Sequence, residues 1–207
     1  MSAAPAAFYF DLASPLAYLA AERVLHELPG PAEWQPVLAR DLRAPTTESL
    51  VGERPPAHRY DDGDGVSRAE LARRADELGL QPLRWPDPFP FDSAMAMRVA
   101  TYAKSIGRVV PFAQAAFRQA FAGGRSLADA NNVLIAAAAC EMHPAAVLRG
   151  AELRSVAAQL ADATERAARS KIIKIPAILI EDTVFEGERA IELASARMSE
   201  RSLAGPR

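Results

Sequence analysis

The chain has 207 residues, 50% of them hydrophobic, with 24 basic and 26 acidic side chains for a net charge of −2. That length suits one full domain or a small domain carrying an insertion, and the charge balance gives no reason to expect nucleic acid or an anionic membrane as a partner. The single cysteine, Cys140, excludes an internal disulfide; the start MSAAPAAFYF is not a signal peptide, no apolar run approaches the ~20 residues of a membrane span, and cytoplasm is the expected compartment.

Phe8–Phe10 is a short aromatic strand candidate that stops at Asp11. From Pro15, the residues Leu16, Leu19, Ala20, Val24 and Leu28 follow helical spacing until PGP at Pro29–Pro31 closes the segment. Trp34–Leu38 reads as a second strand, with Pro36 pointing to an edge or irregularity. The chain therefore opens β-α-β. Residues 44–65, APTTESLVGERPPAHRYDDGDG, have the composition of a loop. Ser67–Leu80 then predicts a helix, with Ser67 as N-cap, Glu70 completing a capping box and Gly79 near the end.

RWPDPFPFD at 84–92 is too rich in proline for a regular element. From Ser93 to about Arg169 the chain is Ala-rich and helical, interrupted at Gly107, Gly123-Gly124 and His143-Pro144. The close, KIIKIPAILIEDTVFEGERAIELASAR, predicts a strand Ala177–Ile180, a turn at Glu181-Asp182, a strand Thr183–Phe185 and a helix from about Glu188. Neither end of the chain can bury a sheet alone, so the two ends are expected to share one, with the helical block inserted between them.

This order, and FYFDLASPLAYLAAERV at 8–24, resemble the DsbA-like branch of the thioredoxin superfamily. Within it, the sequence is similar to the 2-hydroxychromene-2-carboxylate isomerases and the kappa-class glutathione transferases. Further matches are Pro56-Ala57 with Tyr60, WPDPFPFDSAMAMR at 85–98, and KIPAILIEDTVFEGERAIE at 174–192. The resemblance implies an α/β thioredoxin-like domain made of residues 6–42 plus 150–200, and an all-helical insertion at 43–149.

Redox members of the superfamily begin the first helix with C-P-x-C. Here those positions read Ser14-Pro15-Leu16-Ala17, so neither thiol is present and thiol–disulfide exchange is excluded at this site. Ser14 has two readings. Serine is a favoured N-cap and proline a favoured first helical residue. The same helix start favours a thiolate, and the resemblance implies that the thiol is glutathione, with the Ser14 hydroxyl donating to its sulfur.

Ile175-Pro176 resembles the cis-proline segment that lies across from that helix start in thioredoxin-like proteins and pairs with the cysteinyl unit of glutathione; an ordinary edge-strand proline is the alternative. The γ-glutamyl end is implied to bind at the start of the last helix, at Glu186, Gly187, Glu188 and Arg189. Relatives typically have Gly, a small polar residue and Asp there, so Glu188-Arg189 is a departure. Glu188 could meet an ammonium and Arg189 or the helix N-terminus a carboxylate, the change could mean a different thiol cofactor or none, or Glu188 could be a first-turn acid only. For the substrate, the resemblance implies Arg43 as a cation, Phe89 as an aromatic wall, and Tyr60; Arg43 and Phe89 have ordinary surface or core alternatives.

His26, His58 and His143 lack metal-ligand spacing, and Cys140 reads as core. The leading expectation is a glutathione-dependent isomerase of 2-hydroxychromene-2-carboxylate-type compounds, acting on a small aromatic carboxylate or electrophile. A kappa-like glutathione transferase and a non-catalytic thioredoxin-fold binding protein are the alternatives. A homodimer is implied by the resemblance alone.

Overall fold

The computed structural model describes residues 6–42 and 66–204. Its elements are β1 (Ala6–Phe10), α1 (Pro15–Glu27), β2 (Ala32–Pro36), a 3-10 turn (Ala39–Asp41), α2 (Arg68–Glu77), α3 (Ala94–Ser105), α4 (Val109–Phe121), α5 (Ala130–Ala138), α6 (Pro144–Glu152), α7 (Arg154–Arg169), β3 (Ala177–Ile180), β4 (Thr183–Glu186), a second 3-10 turn (Gly187–Arg189) and α8 (Ala190–Ala204). One sheet takes strands from both ends of the chain in the order β2-β1-β3-β4. β1 and β2 run parallel, with Phe8 beside Trp34 and Phe10 beside Pro36. β3 is antiparallel to β1, with Tyr9 beside Ala177, and β4 is antiparallel to β3, with Ala177 beside Glu186.

Both faces of β1 are covered, which is why its sequence is apolar throughout. Phe8 and Phe10 face one side with Trp34 and Ile178, and the Phe8 and Trp34 rings meet edge-on at 4.9 Å. α1, α3, α4 and α8 contribute to that side, where Phe10 packs on Phe117 at 5.9 Å. Tyr9 and Ala177 face the other side, against Ala163 and Ala167 of α7. α7 buries Val156, Leu160, Ala163, Thr164 and Ala167, a stripe with helical period. The core on the first side runs unbroken from the sheet into α3, α4, α5 and α6.

The structure moves several sequence-derived boundaries. β2 starts at Ala32 and ends at Pro36, because its parallel register with β1 pairs Ala6 with Ala32, while Pro36 has no N–H to continue the ladder; Val37 N–H donates instead to Phe10 O (3.1 Å). α2 ends at Glu77, and Gly79 follows at φ +65°. Its capping box is half formed: Ser67 Oγ accepts from Glu70 N–H (3.2 Å), but the Glu70 carboxylate turns to Arg73 and Arg74. The block after Ser93 resolves into five helices, and α6 and α7 are separated only by an extended Leu153. Among the described residues, no helix is long and apolar enough to cross a membrane.

Candidate functional site at one end of the sheet

Strand register gathers the site. Beyond the Tyr9–Ala177 pair, β1 continues to Phe10 and Asp11 as β3 runs back to Pro176 and Ile175. Beyond the Ala177–Glu186 pair, Gly187 comes beside Pro176, and Gly187 N–H donates to Pro176 O at 2.7 Å. One end of the sheet therefore collects the β1–α1 turn, the Val37–Asp41 segment, Ile175-Pro176 and the start of α8. The Ile175-Pro176 bond is cis, as the resemblance implied; Asp87-Pro88 and Phe89-Pro90 are cis as well.

Ser14 sits on the first of these segments and is 3% exposed. Its backbone is extended, Pro15 occupies the first helical position, and its Oγ accepts from Ala17 N–H at 3.1 Å. The N-cap reading of Ser14 is thus realised. A hydroxyl that accepts this bond keeps its own proton to donate, so the cap and a thiolate contact use different parts of one group.

Asp11 fixes the turn that carries Ser14, and sequence reasoning gave it no role beyond ending a strand. It is 1% exposed. One carboxylate oxygen accepts from Ala13 N–H and the other from Ala39 N–H, each at 3.0 Å. The first bond holds the β1–α1 turn; the second ties it to the segment after β2. Ser14 N–H also donates to Asp11 O (3.0 Å), and Leu12 N–H to the Met97 thioether (3.2 Å). The signal available in sequence was an Asp in the short turn before an N-cap, where short polar side chains bond to nearby amides.

Glu186 is a clamp. Its Oε1 accepts from Ile173 N–H (2.6 Å) and Lys174 N–H (3.0 Å), holding the segment that leads into Pro176. Gly187 adopts φ +72°, a conformation that disfavours any other residue. Glu188 is exposed, but its carboxylate is ion-paired with Arg74 of α2. Arg74 also donates through Nε to Glu70 (2.8 Å), and its Nη1 is buried without an acceptor. Burial opposes the Arg74 charge, yet hydrogen bonds to Glu188 and Glu70 hold its pKa above the ordinary value. Hydrogen bonds from Arg73 and Arg74 lower the Glu70 pKa to about 2. Arg189 pairs with no acid among the described residues. Sequence pattern missed Arg74, because a single Arg four residues after a Glu looks like an ordinary helix-surface pair.

Phe89 is half-buried in an aromatic group formed with Trp85 (5.0 Å), Phe91 (6.3 Å) and Phe121 (6.1 Å). Phe121 stacks on Tyr18 at 5.7 Å, one helical turn from Ser14. The guanidinium of Arg68 lies 4.6 Å from the Trp85 ring centre. At its other end the proline-rich segment is tied by Asp92 to Arg40 (2.8 Å), next to the amide bound by Asp11. Arg43 and Tyr60 lie outside the described residues.

Cys140 is buried in the core just after α5, and burial raises its thiol pKa against the lowering effect of Arg108. No group of three or more His, Cys, Asp or Glu among the described residues could hold a metal ion. Since Ser14 and Ala17 leave the helix start without a thiol, the purified protein is expected to show no insulin-reductase or dithiol-oxidase activity. Activity that is present in wild type and abolished by Cys140→Ser would place thiol chemistry at Cys140 and contradict this expectation.

A small mixed sheet that carries the start of α1 and Ile175-Pro176 at one end, with a helical block between its halves, is the architecture of a thioredoxin-fold protein of the DsbA-like type. Residues 7–199 match the DSBA-like thioredoxin domain, and the chain belongs to that family. Among solved structures it is similar to 2-hydroxychromene-2-carboxylate isomerase, at 17% identity and TM-score 0.77, covering 97% of this chain and 98% of that one. It is also similar to a probable DsbA oxidoreductase from Streptomyces coelicolor (19% identity, TM-score 0.73, 98% and 92% covered). The cytosolic disulfide reductase DsbM from Pseudomonas aeruginosa, solved with GSH, is a third (14% identity, TM-score 0.63, 97% and 98% covered). At these identities the likeness establishes the fold. No curated protein matches the chain by sequence.

Proposed function

We propose that this protein is a glutathione-dependent isomerase of 2-hydroxychromene-2-carboxylate-type aromatic compounds. The observation that carries the reading is the buried Ser14 hydroxyl at the start of α1, where redox relatives place a thiol, at the same end of the sheet as Ile175-Pro176. The isomerase among the similar structures supports the same choice.

The residues suit a bound thiol at its sulfur end. Ser14 Oγ is oriented by Ala17 N–H, and accepting that bond polarises the hydroxyl and strengthens its donation to a sulfur anion. The partial positive charge of the α1 start acts in the same direction. Backbone groups at Ile175 hold the cysteinyl unit, and Glu186 fixes that segment through Ile173 and Lys174. Gly187, Glu188 and Arg189 flank the amino-acid end. Glutathione, when bound, supplies a thiolate that adds reversibly to a conjugated carbon, so that the former double bond can rotate. Phe89 contributes an aromatic wall for the substrate ring, and Arg43 the cation for its carboxylate.

The same residues would serve glutathione transfer to an electrophile. One observation favours a binding module without catalysis: Glu188 is already engaged by Arg74. The test is ultraviolet absorbance of 2-hydroxychromene-2-carboxylate incubated with protein and glutathione. Isomerisation that requires both components is expected. Glutathione conjugates without isomerisation would establish the transferase reading, and the absence of both reaction and glutathione binding by calorimetry would establish the binding module.

A further inference from the structure

Arg68, the first residue of α2, has a placement that neither the helix nor the ion pairs of the protein explain. Its guanidinium carbon lies 4.6 Å from the Trp85 ring centre and 5.7 Å from that of Phe89. A cation at the first helical position opposes the positive end of the helix, so helix stability gives no reason for it to be there. Arg68 is exposed and has no acidic partner among the described residues. The rings cover one face of the guanidinium and leave its in-plane N–H donors unused. Stacking also fixes that plane, so an anion that meets its edge has little side-chain motion left to arrest. A planar fork of this kind matches a carboxylate through two parallel hydrogen bonds, and the partial positive charge of the α2 start favours an anion at the same place. Trp85 and Phe89 are only half-buried, which leaves room for a further ring beside the guanidinium. Behind them Phe121 joins Phe89 (6.1 Å) to Tyr18 (5.7 Å), whose N–H donates to Ser14 O (3.1 Å).

We propose that Arg68 is a specificity-determining residue which binds the carboxylate of the aromatic substrate, with Trp85 as the platform that holds the guanidinium in plane. The inference rests on the proposed function in taking the substrate for an aromatic carboxylate. It adds a cation read from the structure to Arg43, the one that the resemblance implies. A substrate ring on Phe89 and a carboxylate on Arg68 are one short linker apart, as they are in an arylacrylate. Neutral aromatic compounds of the same shape meet the rings but leave the fork without an acceptor, so the site selects the acid.

The test compares trans-cinnamate with trans-cinnamamide, which has the same shape and no charge, by isothermal titration calorimetry on the full chain at neutral pH. Wild type is expected to prefer cinnamate by about tenfold or more, the scale of one charge-assisted hydrogen bond. Arg68→Met keeps an apolar stem over Trp85 but removes the fork, and is expected to bring the two dissociation constants within about threefold. Arg68→Lys keeps the charge without the planar fork and is expected to recover only part of the preference. Because Arg68 is exposed, both variants should unfold in urea at the wild-type midpoint. Glutathione-dependent isomerisation of 2-hydroxychromene-2-carboxylate is followed in parallel, where Arg68→Met should raise KM about tenfold. A cinnamate preference that persists in Arg68→Met, or isomerisation by that variant at the wild-type KM, would overturn the inference and leave the proposed function standing. A wild-type cinnamate preference that Arg68→Met abolishes, with no isomerisation, would overturn the proposed function and support the carboxylate site. Wild type that neither isomerises nor binds either probe would overturn both.

Discussion

Ser14→Ala is expected to lower glutathione-dependent turnover by about ten- to a hundredfold or more, because it deletes one hydrogen bond to a developing or bound sulfur anion, worth roughly 1.5–3 kcal/mol. The same substitution removes the N-cap acceptor of Ala17 N–H, which costs about 1 kcal/mol of stability. Glycine separates the two effects. It is nearly as good a cap, with a penalty of only a few tenths of a kcal/mol, yet it has no hydroxyl. Ser14→Gly should therefore resemble wild type in urea unfolding and Ser14→Ala in steady-state kinetics. If Ser14→Gly retained full turnover, the hydroxyl would be a cap and nothing more.

Asp11→Ala carries the largest expected effect on stability. The wild-type carboxylate accepts from two amides inside the protein, Ala13 N–H and Ala39 N–H. Removing it strands both, at about 1–3 kcal/mol each, for a loss of roughly 2–6 kcal/mol. In a chain of this size that corresponds to a fall in Tm on the order of 10 °C, measurable by calorimetry. The two bonds hold together the turn bearing Ser14 and the segment after β2. Turnover measured well below the new Tm should fall as well. A loss below 1 kcal/mol would mean that water replaces the carboxylate at both amides, and that the turn is held mainly by Leu12 and the helix cap.

Legibility in the sequence followed the range of the interaction. Local features were readable: the N-caps at Ser14 and Ser67 and the hairpin around Glu181-Asp182 each depend on a few adjacent residues. The shared sheet was readable at second hand, because a β-α-β start and a β-β-α end are each too small to bury both faces of a strand such as Phe8–Phe10. Pairings across long separations were not. The bond from Asp11 to Ala39 spans 28 residues, and the ion pair from Arg74 to Glu188 joins helices that only the fold brings together. Glu186 shows a third case. Its position in the site was anticipated from the resemblance, but its carboxylate is committed to the backbone of Ile173 and Lys174. The break at Leu153 between α6 and α7 had no local mark, since neither glycine nor proline occupies it.

The proposal that Ser14 stabilises a borrowed thiolate is tested most directly by the pKa of glutathione bound to the protein, followed by thiolate absorbance as pH is raised at saturating ligand. A free thiol titrates near ~8.5, and one hydrogen bond to the anion worth about 1.4 kcal/mol shifts that midpoint by about one unit. The midpoint in wild type is expected to lie at least one unit below that of free glutathione, and in Ser14→Gly to return toward it. A wild-type midpoint equal to that of free glutathione, or one that stays depressed in Ser14→Gly, would contradict the role assigned to the serine.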